Sequence, residues 1–251
     1  MSYLNKFEIE TSYGIKAWKR WGNTAEQIIK SNPYVLCIQG VDLSFSRADA
    51  VAAKSDIPAD SECRIKAGIT YILRQNADQG HTCLPLDSLV KTAVSYLDVD
   101  DKLIKKVIED ETEEENLYYY DKHGRRFVML ADFYKAEDYI ARRLAIMRQI
   151  SYDNKIDFSE VIDLEEENNG IQYEKIQREA INLALSKGFL VLTGGPGTGK
   201  TTTLNAIISL YQQQGLNVMI CAPTGRAAKR LSDLTGFDAK TIHLSLIHIS
   251  E

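Results

Sequence analysis

The run Leu190-Val191-Leu192-Thr193-Gly194-Gly195-Pro196-Gly197-Thr198-Gly199-Lys200-Thr201 leaves this chain few choices of fold. From Gly194 to Thr201 it fits the pattern G-x-x-x-x-G-K-[ST]. Glycines at that spacing let consecutive backbone N–H groups turn toward one anion, and a helix starting at the lysine aims its N-terminal dipole at the same place. Lys200 then offers a point charge to the β- and γ-phosphates of a nucleotide, and the Thr201 hydroxyl offers a ligand to Mg²⁺. Gly195, Pro196, Gly197, Thr198, Gly199 and Thr202 complete the candidate nucleotide-binding set. The flanks agree. Phe189-Leu190-Val191-Leu192 is a short apolar run of the kind a buried parallel strand shows. Leu204, Ile207, Ile208 and Tyr211 recur at helical spacing until Gly215, and 218–222 reads as a second strand. Strand, loop, helix and strand in that order predict an α/β domain.

Two stretches around this core carry further chemistry. The segment 173–186 reads as a helix, and the Gln177 side chain, with a donor and an acceptor together, matches the N6/N7 edge of adenine. ATP is therefore the expected nucleotide. After the second strand comes Ala222-Pro223-Thr224-Gly225-Arg226-Ala227-Ala228-Lys229-Arg230. Small and cationic groups at the C-terminal end of a strand lie where open α/β sheets bind ligands. Thr224, Arg226 and Lys229 are suited to a single-strand phosphate backbone.

The N-terminal half reads as mainly helical. Residues 1–30 hold a basic helix with Trp18 and Trp21, and short helices over 33–39 and 46–54 flank the turn Gly40-Val41-Asp42-Leu43-Ser44-Phe45. A hairpin of this size between two helices presents backbone N–H groups to DNA phosphates. Helices are expected over 65–76, 86–97 and 103–108, and the acidic run 109–115 as a solvated surface. Leu117-Tyr118-Tyr119-Tyr120 and Arg126-Phe127-Val128-Met129-Leu130 read as a β-hairpin, which after helices suggests a winged-helix arrangement. The segment 134–149 is an amphipathic helix with Ile140, Leu144 and Met147 expected to face inward. Residues 151–170, ending in an acidic stretch, read as a linker.

The remaining bounds are chemical. With 30 Lys and Arg against 35 Asp and Glu, the net charge is −5, so nucleic-acid contacts must come from local patches. The four cysteines form no C-x-x-C pair, which argues against a zinc site and for thiols in a reducing cytoplasm. No apolar run is long enough to suggest a membrane span.

The residues just quoted resemble the RecD-like family of superfamily 1 DNA helicases, related to the exonuclease V alpha subunit. The resemblance rests on Gln177–Ile181, Gly194–Thr203, Ala222–Arg230 and Thr241-Ile242-His243, with Asn32-Pro33-Tyr34, Ala48-Asp49, Gly80-His81-Thr82 and Leu84-Pro85 in support. It implies an ATP-dependent helicase, hence an ATP hydrolase, moving 5′→3′ on single-stranded DNA in repair or recombination, with DNA forks as partners and ATP and Mg²⁺ as cofactors. It implies that Lys200 and Thr201 serve catalysis and that Pro223, Thr224, Arg226 and His243 contact DNA. The fold expected is a RecA-like P-loop motor domain, truncated, preceded by mainly helical domains. Its parts are a helix-hairpin-helix-like region (1–85), a winged-helix-like region (86–150), a linker (151–170) and the first part of the motor (171–251). Two departures stand out. The family's hairpin has glycines where this chain has Asp42 and Ser44, which sets a carboxylate where a phosphate would approach. The motor's carboxylate pair and second RecA-like domain do not occur in the 251 residues, and 244–251 departs from the family's pattern, so this chain is expected to be an amino-terminal fragment that binds nucleotide without unwinding DNA. Two rival readings explain fewer of these residues: another P-loop NTPase (AAA-type or a small-molecule kinase), and a non-catalytic DNA-binding module.

Overall fold

The computed structural model describes residues 6, 7, 9–38, 40–55, 57–150 and 158–249, the side chains of 246–249 excepted. Parts of four expectations lie outside the described residues: residues 1–5 and Glu8 of the basic helical segment, Gln39 at the end of a short helix, 151–157 of the linker, and Ser250 and Glu251 of the motor part. The chain divides into two compact units, Met1–Tyr139 and Ile140–Glu251. Among the described residues no helix is long and apolar enough to cross a membrane.

Unit 1 begins with α1 (Thr11–Trp21), a 3-10 turn (Gly22–Thr24) and α2 (Ala25–Ser31). A second 3-10 turn (Pro33–Cys37) starts where Asn32 accepts a hydrogen bond from Tyr34 N–H at 3.0 Å and Pro33 takes the first position, whose N–H has no partner in a helix anyway. Then come α3 (Phe45–Ala53), α4 (Glu62–Asp78), β1 (Cys83–Pro85), α5 (Leu86–Leu97), α6 (Asp101–Glu113), β2 (Leu117–Lys122) and β3 (Arg125–Leu130). Ile65, Ile69, Ile72 and Leu73 line one face of α4, and Ile104, Val107 and Ile108 one face of α6. Both stripes bury into one core with Leu36, Leu89 and Leu97, each such side chain contributing about 1.5–3 kcal/mol. The expected hairpin is present, and β1 adds to its far side to give the antiparallel order β1-β3-β2, with Cys83 opposite Met129. The sequence reading left 83–85 in a connection. Three residues are too few to show an alternation, and the pairing depends on β3.

Arg64 ties this unit together. It forks onto the Asp49 carboxylate, Nε to Oδ1 at 2.7 Å and Nη2 to Oδ2 at 3.2 Å, while Nη1 donates to the carbonyls of Ala59 and Leu97 at 2.7 and 2.8 Å. Burial alone would push the Asp49 carboxyl up; the hydrogen bonds from Arg64 and Tyr34 outweigh it and hold the group below the usual carboxylate range.

Two expectations for this half are corrected. The acidic run 109–115 is not simply a solvated surface: α6 runs on to Glu113, and Lys66 gathers Glu62, Glu111 and Glu114 at 2.8, 2.8 and 3.4 Å, with Glu111 buried. Hydrogen bonds that Lys66 donates to Glu111 and Glu62 raise its pKa above the ordinary value. The long helix α7 (Ala131–Gln149) forms, but none of its described residues is buried; Ile140 is 54% exposed and Met147 37%. Periodicity marks the apolar side of a helix, whereas burial needs an opposing surface.

In unit 2, α8 (Ser159–Asn169), α9 (Lys175–Ser186) and α10 (Lys200–Gln213) pack around Ile162, Ile181, Leu185, Ile207 and Leu210. Helix α8 occupies most of the stretch expected as a linker. Its carboxylates fold because they find partners: Arg178 binds Asp163 and Glu166, Gln213 donates to Glu165 at 2.8 Å, and Tyr173 N–H donates to Glu166 at 2.7 Å. Of the two expected strands, only Ile220–Ala222 (β4) is in a ladder, paired in parallel with β5 (Ala239–Thr241). Phe189–Leu192 is not a strand among the described residues, and Val191 is 65% exposed. Helix α11 (Gly225–Thr235) connects β4 to β5, and α12 (Ile242–Ile249) follows.

Candidate nucleotide-binding site

The phosphate loop is built as its glycines require. Gly197 and Gly199 both take φ +75°, a region that side chains disfavour, and Gly199 is the residue from which α10 departs. The Gly199 carbonyl accepts from Thr203 N–H at 3.0 Å and from the Thr203 hydroxyl at 3.1 Å, which fixes the first turn of α10. Thr198 Oγ1 donates to Gly195 O at 3.0 Å and braces the loop across its width. Lys200 turns back over the loop and donates to Gly194 O at 2.6 Å and to Gly195 O. An ammonium held only by neutral carbonyls at an exposed loop is a ready partner for an anion, since a charged acceptor roughly doubles the strength of such a bond. Gly195, Pro196, Gly197 and Thr198 are exposed, and Thr201 and Thr202 are half-buried on the first turn of α10. These residues fit a nucleotide's phosphates. For the metal, the described residues bring together no group of three or more His, Cys, Asp or Glu side chains, so the hydroxyl of Thr201 is what this stretch offers to Mg²⁺.

Gln177 lies at the loop, in a role its residue type did not announce. Its Oε1 accepts from Glu174 N–H at 2.9 Å, and Glu174 caps Gln177 in return, a reciprocal capping box at the start of α9. Its Nε2 lies 3.5 Å from the Gly199 carbonyl. Both ends of the amide thus have protein partners here, with one oxygen lone pair and one N–H left over. Sequence reasoning missed this because the pattern opens with Glu174 where such boxes ordinarily carry Ser or Thr.

The candidate DNA contacts sit on one edge of the small sheet. The parallel register pairs Ala222 with Thr241, so Pro223 and Thr224 leave β4 beside the point where Ile242 and His243 leave β5. Pro223, Thr224, Arg226 and His243 are all exposed. Thr224 caps α11, accepting from Ala227 N–H at 3.3 Å, and so starts the helix directly after β4 with Arg226 in its first turn. Lys229 and Arg230 follow on the same exposed helix. A cavity of about 650 Å³ in unit 1 is no part of this site: Tyr34, Phe45 and Tyr71 line it, and its cations Lys66 and Arg74 are already in ion pairs.

Comparison with known proteins agrees with this division. The family described as ATP-dependent RecD2 DNA helicase HHH domain matches residues 1–83, and that described as AAA domain matches residues 177–250. The two matched stretches are thus similar to a helix-hairpin-helix domain and to an AAA domain, respectively. The chain is 28% identical over 239 residues to the ATP-dependent RecD2 DNA helicase of Deinococcus radiodurans, covering 91% of this chain and 33% of that protein. The RecBCD enzyme subunit RecD of Mycolicibacterium smegmatis is 40% identical over 90 residues, 27% of this chain and 16% of its own length. The DNA-binding protein SMUBP-2 of Mus musculus is 42% identical over 67 residues, 26% of this chain and 7% of its own. The chain is thus similar to RecD-like helicases over these matched stretches. It spans about a third of the length of the Deinococcus relative and less of the others.

Proposed function

We propose that this chain binds ATP with Mg²⁺ through Gly195, Pro196, Gly197, Thr198, Gly199, Lys200, Thr201 and Thr202, as the amino-terminal part of a DNA helicase that moves 5′→3′ on single-stranded DNA. The observation that carries the reading is the loop itself: Lys200, at the N-terminus of α10, stands over a glycine-rich cradle with carbonyls as its partners. When bound, the nucleotide supplies the γ-phosphoryl group whose hydrolysis drives movement. Lys200 exchanges its carbonyls for phosphate oxygens, and the Thr201 hydroxyl holds the metal. Gln177 meets the adenine edge with the lone pair and the N–H that Glu174 and Gly199 leave it. Pro223, Thr224, Arg226 and His243 line the strand's path along the C-terminal edge of β4 and β5. Unit 2 is then the first part of a RecA-like domain, and exposed Val191, Leu192 and Met219 belong to faces that further strands of the longer motor cover.

Before the linker we read the hairpin region (1–85) as helix-hairpin-helix-like, and the region 86–150, with the β2–β3 hairpin and α7, as a winged-helix-like part that engages DNA at a fork, in repair or recombination in the cytoplasm. Alone, this chain binds nucleotide and does not unwind DNA, since unwinding draws on the longer motor as well. The test is ATP binding with Mg²⁺ to this chain beside Lys200→Ala. Circular dichroism checks that the variant keeps its fold. Loss of binding in the variant supports the reading; equal binding by both, or none by a folded wild type, overturns it.

A further inference from the structure

The hairpin of unit 1 carries its own anion. Between the 3-10 turn Pro33–Cys37 and α3, the N–H groups of Val41 and Asp42 donate to Ile38 O at 3.2 and 2.9 Å, and Leu43 N–H donates to Leu36 O at 2.9 Å. Gly40 N–H goes elsewhere, to Asp42 Oδ1 at 3.1 Å. The other oxygen of the same carboxylate lies 3.7 Å from Lys16 Nζ. That ammonium comes from α1, 25 positions away from Val41, and also donates to Val41 O at 3.1 Å. Arg47, on the first turn of α3, lies over the same Tyr13 ring as Lys16, with centroid distances of 5.7 and 5.6 Å, and its Nη1 is 3.4 Å from Glu10. One backbone N–H and one lysine from a separate helix thus converge on one carboxylate, with a second cation close by. Backbone N–H and lysine are the donor types that proteins present to the phosphates of nucleic acid. The seat is open to solvent: the side chains of Asp42 and Lys16 are 60% and 46% exposed. Asp42 holds its carboxylate there from φ +62°, an angle uncommon for any residue but glycine, though Asp tolerates it better than most.

We propose that Asp42 stands in for a nucleic-acid phosphate, its carboxylate filling the anion seat formed by Gly40 N–H and Lys16 and so keeping the DNA backbone off this hairpin. This is a property of unit 1 and does not rest on the DNA path assigned to unit 2. A phosphate approaching Lys16 meets a like charge bound to the group it needs; removing that charge opens the seat.

The test is fluorescence anisotropy of labelled single-stranded and duplex DNA with the whole chain, comparing wild type, Asp42→Asn and Asp42→Gly. Asn keeps a side-chain oxygen for Gly40 N–H and removes the charge. Gly removes the side chain and suits the backbone angle, so at least one variant retains the fold, checked by circular dichroism. Both variants should bind DNA about five- to tenfold more tightly at low salt, and the dependence of affinity on salt should steepen by about one phosphate contact. Adding Lys16→Ala to either should abolish the gain. The same gain should appear with Arg226→Ala present, which removes the proposed contact in unit 2. Folded variants within about twofold of wild type overturn the proposal, as does a gain that survives Lys16→Ala or that vanishes with Arg226→Ala.

Discussion

Replacing Gly199 with alanine should weaken unit 2 and the phosphate site together, by an amount the geometry sets. At φ +75° an alanine sits in the left-handed region, at a cost of about 1–2 kcal/mol. Its Cβ would lie 2.1 Å from Gln177 Nε2. Gln177 is the end of a flexible side chain, so it moves aside rather than forcing the backbone apart. In moving it loses the hydrogen bond from Glu174 N–H, worth about 1 kcal/mol. The sum is about 2–3 kcal/mol, or roughly 30- to 150-fold in the local opening equilibrium. Both tryptophans lie in unit 1, so the assay is hydrogen exchange by mass spectrometry on peptides covering α9 and the start of α10, with ATP binding measured alongside. A double-mutant cycle separates the two contributions. In a Gln177→Ala background the clash is already gone, so Gly199→Ala should cost only its backbone strain, about 1 kcal/mol less than in wild type. Unchanged exchange and ATP binding in Gly199→Ala would refute the reasoning, and equal costs in both backgrounds would refute the Gln177 half of it.

Other outcomes follow from unit 1. Arg64→Ala leaves the Asp49 carboxylate with Tyr34 but no charged partner, takes a donor from the carbonyls of Ala59 and Leu97, and should destabilise unit 1 by about 2–4 kcal/mol; urea unfolding followed by Trp18 and Trp21 fluorescence reads it, and a loss under about 0.5 kcal/mol refutes it. Because the folded-state pKa of Asp49 is lowered, its contribution is present above the unfolded carboxylate pKa near 4 and is lost as pH falls through the lower folded value. The stability difference between wild type and Asp49→Asn should therefore be flat around neutral pH and shrink below about pH 4. Gly68→Ala places a Cβ 2.6 Å from Cδ2 of buried Leu97, where α4 meets α5; it should cost about 1–3 kcal/mol in thermal unfolding, partly restored by Leu97→Ala, and no shift in melting temperature contradicts it.

How much could be read from the chain varied with the range of the interaction. The phosphate loop needs only local rules, and the structure sets Gly199 in the left-handed conformation with Lys200 opening α10. The helices over 86–97 and 175–186 and the hairpin at 117–130 were legible for the same reason, since period and turn residues act over a few positions. The acidic stretch 163–167 was not. Its reading as a linker weighed charge alone, while Arg178, Gln213 and Tyr173 N–H, which neutralise or satisfy those carboxylates, are far enough along the chain that no local pattern announces them. Strand 189–192 failed in the opposite direction: an apolar run has strand propensity, but a strand exists only when a neighbour accepts its hydrogen bonds.

By itself, then, the sequence determined what local chemistry can determine: a glycine-rich anion cradle with a lysine and a threonine at a helix start, a basic segment after a strand, and the order of most helices. Tertiary structure alone decided which side chains meet across distance. It set the C-terminal ends of β4 and β5 side by side with Ala222 opposite Thr241, gave both ends of the Gln177 amide a protein partner, and brought Lys16 from another helix to the Asp42 carboxylate. Such pairings depend on how elements pack, and packing is fixed by the sum of many weak contacts rather than by the spacing of any few residues.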